Sequence, residues 1–219
     1  MNRPAKAKDK ILAAARKIVE TKGAGHLTFD ELSTESGVTR GGITYHFPTK
    51  ELLLRGLIEA DLQDWEDDAE MLAGHCSCPR QAEMLGQIRC QMGQQDEDHK
   101  RFVTGMMSAA MVDPGLLEPV RAYHHRKFAS WEWHDQDLFA YLLLLAAEGT
   151  FWQDFFNTNA MPGPARERLF AWVEHLAQHP ELWPLPPAGF AVADSHDPSA
   201  ATAAAVSARA PTDSSTTSG

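Results

Sequence analysis

Residues 28–51, TFDELSTESGVTRGGITYHFPTKE, constrain this chain more than any other stretch. Thr28-Phe29-Asp30-Glu31 has the spacing of a capping box, with Thr28 as N-cap and Glu31 at the third helical position. Leu27 and Leu32 are placed as the hydrophobic staple that accompanies such a box. A helix therefore starts sharply after Thr28 and runs to about Ser36. Gly37 supplies the positive φ of a tight turn, Val38 plugs it, and Thr39 caps a further short helix over 39–46. That helix, TRGGITYH, contains two glycines at about 1 kcal/mol each relative to Ala, so it cannot stand alone in water. Ile43 and Phe47 must pin it from below, which leaves Arg40, Gly41, Thr44 and Tyr45 on other faces. Pro48 stops it and Thr49 caps the next helix. Two short helices at a fixed angle over a shared core form a helix-turn-helix, whose second helix enters the major groove of DNA.

Charge follows the same division. The chain carries −10 overall. Residues 1–60 hold ten Lys and Arg against seven Asp and Glu, a net of +3, which leaves −13 on the remainder. A positive head suits phosphate, and an acidic body is repelled from it. The 43% hydrophobic content supports a sizeable core. The longest purely apolar run, 138–147, is too short to span a bilayer, and the basic N-terminus has no apolar segment behind it to act as a secretory signal. Three cysteines, Cys76, Cys78 and Cys90, do not make a disulfide framework. These features predict a cytoplasmic location.

The rest of the chain reads as helix. Ile11, Leu12, Ala15, Ile18 and Val19 form one stripe over 7–22, ended by Gly23 and Gly25. Further helices are expected over 50–72, 80–95, 99–112, 114–132, 136–158 and 164–179. Asp113-Pro114 and Gly163-Pro164 act as restart signals. The 136–158 segment is apolar on nearly every face, more than one subunit of this size covers easily. After Val192 almost no large apolar side chains remain, so residues 185–219 are expected to form a disordered tail. The expected domains are 1–49, 50–184 and that tail.

The stretch 27–53, LTFDELSTESGVTRGGITYHFPTKELL, resembles the DNA-binding segment of the TetR family of transcriptional regulators. Gly37, Val38, Thr39, Arg40, Gly41, Ile43, Tyr45, His46, Phe47, Thr49, Lys50, Glu51 and Leu53 fit the family's pattern, as does the Ile-Leu-Ala-Ala-Ala core at 11–15. Thr44 departs from it, standing where an aromatic residue is common. The resemblance implies an all-α protein with an N-terminal three-helix DNA-binding domain and a C-terminal helical domain for ligand binding and dimerisation. It implies DNA contacts from Thr28, Thr39, Arg40, Gly41, Gly42, Thr44, Tyr45, His46 and Lys50. Arg40 is the long side chain suited to guanine, and Lys50 the phosphate clamp. The partners implied are double-stranded operator DNA, a small-molecule effector and a second copy of the chain, with repression as the default sign. Helices 136–158 and 164–179 of two subunits are the pair expected to form a four-helix bundle.

An effector pocket between helices should be mostly apolar. Its candidate liners are Trp65, Phe102, Met106, Met107, Met111, Tyr123, Phe128, Trp131 and Trp152. A thiol- or metal-responsive reading rests on Cys76 and Cys78 in His75-Cys76-Ser77-Cys78, which lacks a second ligand pair. A helical scaffold without specific DNA binding is a third reading. No Gly-rich phosphate loop, G-x-S-x-G or H-E-x-x-H motif points to an enzyme, and no cofactor is expected.

Overall fold

In the computed structural model, which describes residues 3–74, 78–93 and 96–184, every regular element is helical. α1 (Arg3–Lys22) is followed by a 3-10 turn over Ala24–His26, then α2 (Phe29–Ser36), α3 (Arg40–His46) and α4 (Lys50–Ala73). α5 (Pro79–Met92), α6 (Glu97–Val112), α7 (Glu118–Lys127), α8 (Asp135–Phe155) and α9 (Gly163–Gln178) complete the set. Residues 185–219, expected as a tail, lie outside the described residues, as does Cys76.

Two apolar cores hold these helices. The first gathers Ile11, Ile18 and Val19 of α1, Leu32 of α2, Ile43 of α3 and Leu57 of α4, with Phe102 and Met106 of α6. The reading head thus shares its core with α6, an element far along the chain. The second core joins Leu85 and Ile88 of α5 to Leu143, Leu144 and Ala147 of α8 and Val173 and Ala177 of α9. α4 and α5 cross closely at Gly86, where an added Cβ would sit 2.0 Å from the Ala69 carbonyl oxygen. Glycine there is a matter of space between two backbones.

The expected 114–132 helix is corrected to two pieces. Asp113 accepts from the Gly115 N–H and starts a 3-10 turn, Pro114–Leu117, before α7 begins at Glu118 with Pro119 in its first turn. α7 stops at Lys127 because Asp137, at the start of α8, draws the chain into a turn. Its Oδ2 accepts from the Glu132 and Trp133 N–H groups at 2.8 Å each, while Arg80 of α5 pairs with Oδ1. Trp133 takes a φ of 59° in that turn. Burial would push the Asp137 carboxyl up, but Arg80 and the two backbone donors hold it below its ordinary value.

α8 is apolar on nearly every face, yet only part of it is covered in the single chain. Leu138, Leu142 and Leu145 lie three and four residues apart on one stripe and are exposed, Leu142 at 56%. Trp172 of the adjoining α9 is 62% exposed. No described helix is both long and apolar enough to cross a membrane.

Candidate nucleic-acid interface and effector cavity

The turn between α2 and α3 is locked by short-range bonds. Gly37 sits at φ 66° as the C-cap of α2, the left-handed position only glycine takes without strain. Ser33 Oγ donates to the Val38 carbonyl at 2.7 Å, and the Val38 N–H donates to Ser36 Oγ at 3.2 Å. Thr28 Oγ1 accepts from the Glu31 N–H, and Thr39 Oγ1 from the Gly42 N–H, each at 3.2 Å. The second half of the capping box is diverted, because the Glu31 carboxylate takes the Lys22 ammonium of α1 instead. Lys17 likewise pairs with Glu35 at 2.5 Å, so α1 is stapled to α2 along its exposed edge.

Ile43 is fully buried and Phe47 nearly so, the anchoring predicted for this glycine-bearing helix. α3 turns its other faces outward. Tyr45 is 78% exposed, with its ring edge-on to His46 at 5.1 Å. Arg40 Nη1 donates to Asp30 Oδ1 of α2 at 2.6 Å, both side chains being exposed. Such a surface pair is weak enough for DNA to displace. The Thr44 hydroxyl donates back to the Arg40 and Gly41 carbonyls, which leaves it an acceptor toward solvent. Lys50 Nζ reaches the Gly25 carbonyl at 3.4 Å.

The two glycines of α3 play different parts. A Cβ on Gly41 would meet nothing within 4 Å, whereas one on Gly42 would lie 2.9 Å from Val38 Cγ1 and 3.3 Å from Thr39 Oγ1. Close packing inside the motif explains Gly42. The protein interior gives no such reason for Gly41.

In the body, a cavity of about 250 Å³ opens between α4, α5, α6, α7 and α8. Of the nine residues expected to line an effector pocket, Trp65, Tyr123, Phe128 and Trp152 border it. Phe102 and Met106 are instead packed in the first core, where Phe102 lies 4.3 Å beneath the Arg16 guanidinium. Met107 and Met111 face outward, and Trp131 meets Phe128 edge-on and Trp133 at a tilt, with the Arg80 guanidinium over its ring. Helical phase turns Phe102, Met106, Met107 and Met111 elsewhere, and Trp131 lies past the end of α7 in the turn before α8.

The polar lining went unnoticed in the sequence. Gln87 is 4% exposed and accepts from Trp65 Nε1 at 3.0 Å. Its place between Met84, Leu85 and Ile88 on a buried stripe was a legible signal. Lys127 and Glu148 gave none, since each sits among other polar or apolar residues without a distinguishing period. Of the cysteines, Cys78 is exposed at the start of α5, and Cys90 is buried with its thiol pushed up to about 11, chiefly by that burial.

Residues 11–57 match the family description "Bacterial regulatory proteins, tetR family", and residues 83–178 match "Tetracyclin repressor-like, C-terminal domain". A search of curated proteins found no match. Among solved structures, SCO7518 of Streptomyces coelicolor A3(2), described as a transcriptional regulator, superposes with a TM-score of 0.62 at 17% identity, covering 78% of this chain and 98% of its own. GusR of Salmonella enterica gives 0.56 at 21% identity, covering 81% and 98%. A transcriptional regulator of Saccharomonospora viridis in complex with choline gives 0.57 at 14% identity, covering 80% and 97%.

Proposed function

The chain belongs to the TetR family of transcriptional regulators, and from that premise we propose that it is a ligand-responsive repressor, released from a near-palindromic operator by a small molecule. The observation that carries this reading is α3 itself: Arg40 and Tyr45 stand exposed over the buried Ile43 and Phe47, in the net-positive part of an acidic chain. Arg40 offers a guanidinium fork for a guanine edge. Thr28, Thr39, His46 and Lys50 supply donors toward phosphate, and Gly41 permits close approach of the backbone. Two such heads, carried by two copies joined along the exposed faces of α8 and α9, would read half-sites about one helical turn apart.

Release follows from the route between the cavity and the head. Asp61 and His99 border the cavity and both contact Arg16 of α1. A ligand that shifts α4 against α6 moves this contact and so changes the separation of the two heads. Affinity falls because both heads no longer fit one duplex. The choline complex of the Saccharomonospora viridis protein supports a small-molecule site within such a fold.

The reading is tested by gel shift with the intergenic DNA beside the protein's own gene. Specific binding that weakens steeply as salt rises is expected. Indifference to sequence, or no binding at low salt, would remove it in favour of a helical scaffold.

A further inference from the structure

The cavity holds two features that an apolar core would not tolerate without use. Lys127 enters from the end of α7, and its ammonium lies 5.6 Å from the Tyr123 ring centre and 5.7 Å from that of Phe128. Among the described residues no carboxylate forms an ion pair with it. Glu83, Glu66 and Glu148 act on it only at longer range, from α5, α4 and α8, with Cys90 of α5 also facing it. Gln91 Oε1, also at the cavity, is buried with no hydrogen-bond partner. Buried polar groups are nearly always paired, so the open Gln91 oxygen, near an ammonium that meets only ring faces and distant carboxylates, describes a ligand by its complement.

Glu66, Glu83 and Glu148 act on the ammonium from a distance, and the remaining titratable neighbours are engaged or uncharged. Asp61 is held by Arg16. His99 Nδ1 faces the Arg16 guanidinium, which has only donors, and therefore accepts from it. Burial lowers the His124 pKa despite nearby Glu148, so its ring is uncharged at neutral pH. Glu148 accepts from Trp152 Nε1 at 3.4 Å beside the cavity. The walls are flat: Trp65 meets Phe151 edge-on at 6.0 Å, and Phe128 meets Tyr141 at 5.4 Å. The volume of about 250 Å³ lies below the usual range for drug-sized sites, so the occupant is small.

We propose that this cavity takes a small aromatic carboxylate bearing one further hydrogen-bond donor, its carboxylate paired with Lys127, its ring between Trp65, Phe128 and Phe151, and its donor directed at Gln91 Oε1. This assignment rests on the reading of the cavity as the effector site. A cationic ligand is disfavoured because it would bring a second positive charge beside an ammonium that burial already penalises. An apolar ligand would leave the Gln91 oxygen unsatisfied and give the Lys127 ammonium no anion. Burial brings the Lys127 pKa down to about 8, so the ammonium is present at neutral pH.

The experiment is calorimetric titration of the full chain at pH 7 with benzoate, 4-hydroxybenzoate, 4-hydroxyphenylacetate, phenol and choline. The carboxylates should bind, the hydroxylated ones more tightly than benzoate, and phenol and choline should be weaker by about tenfold or more. Lys127→Met should reduce carboxylate affinity by about ten- to a hundredfold, while Lys127→Arg retains much of it. Gln91→Leu should erase the difference between benzoate and 4-hydroxybenzoate. Circular dichroism of each variant separates a lost site from a lost fold. Binding of choline or phenol as tight as that of the acids, no binding by any of the three acids, or unchanged acid binding in a folded Lys127→Met chain would each overturn the proposal. Because the titration needs no DNA, a failed gel shift would sink the regulator reading and leave this measurement to decide the ligand class on its own.

Discussion

Arg16 of α1 donates to the Asp61 carboxylate of α4 across 2.9 Å. The guanidinium also binds Glu20 and His99 and covers the ring of Phe102. Burial works against its charge, and Asp61 and Glu20 more than offset this, leaving its pKa raised. One side chain of the reading head thus touches two residues that border the body's cavity. Arg16→Met should cost about 1–3 kcal/mol of stability, because Asp61 is left half-buried without its partner. In the same variant, ligand should still bind but should no longer weaken DNA binding. Urea unfolding and a gel shift with and without 4-hydroxybenzoate measure the two effects, and an undiminished ligand response would remove Arg16 from the coupling route.

The Asp30–Arg40 pair competes with DNA for the same guanidinium. Arg40→Ala should weaken specific binding by about 1–3 kcal/mol and relax preference at one base position. Asp30→Ala should act in the opposite direction, freeing Arg40 and removing a negative charge near phosphate. Fluorescence anisotropy on cognate and scrambled duplexes separates the cases. If Arg40→Ala weakened both duplexes equally, Arg40 would be a phosphate contact and not a base reader.

Gly41→Ala and Gly42→Ala should part company. Alanine at Gly41 enters open space and gains helix propensity of up to about 1 kcal/mol, so thermal stability should hold or rise while operator affinity falls. Alanine at Gly42 presses on Val38 and Thr39 and should destabilise the head directly. A Gly41→Ala chain that bound DNA normally would argue against close backbone approach at that position.

The exposed stripe of Leu138, Leu142 and Leu145 on α8, beside Trp172 on α9, predicts a homodimer. Light scattering at micromolar concentration should return twice the chain mass. Leu142→Glu should shift the protein toward monomer and abolish tight operator binding, since each half-site alone is held weakly. A wild-type monomer under these conditions would refute the expected intersubunit bundle.

Lys127 sets a pH dependence with a definite sign. Its folded pKa is about 8 against an ordinary value of 10.5, lowered mainly by burial. Between those values the unfolded chain binds more protons, so this group's cost to stability is relieved as pH rises from about 8 to 10.5. Below 8 both states are charged and the full cost of the buried ammonium remains. Without ligand, Lys127→Met should therefore be more stable than wild type at pH 7, and its advantage should shrink across that window. Paired thermal melts across the window measure the difference, and a gap that widened with pH would contradict the assignment.

Much of the reading head was legible in the sequence because its signals are local. The Thr28 and Thr39 caps, the positive φ at Gly37 and the anchoring by Ile43 and Phe47 each follow from neighbours within about one helical turn. The single helix expected over 114–132 does not form past Lys127, where the chain enters a turn held by Asp137 of the next helix, itself paired with Arg80 of α5.

Taken alone, the chain's order of residues determined that it is helical, where α2 and α3 begin and end, and which face of α3 is held down. Tertiary structure decided the rest. It paired Arg40 with Asp30 and Arg16 with Asp61, and it sent Phe102 and Met106 into the core while Trp65, Tyr123, Phe128 and Trp152 came to the cavity. It also set Lys127 against the Tyr123 and Phe128 rings and left Gln91 Oε1 without a hydrogen-bond partner there. The physical reason is range: caps and turns are satisfied by backbone groups a few residues away. A cavity is the space left where five helices fail to touch, and no single helix's periodicity records it.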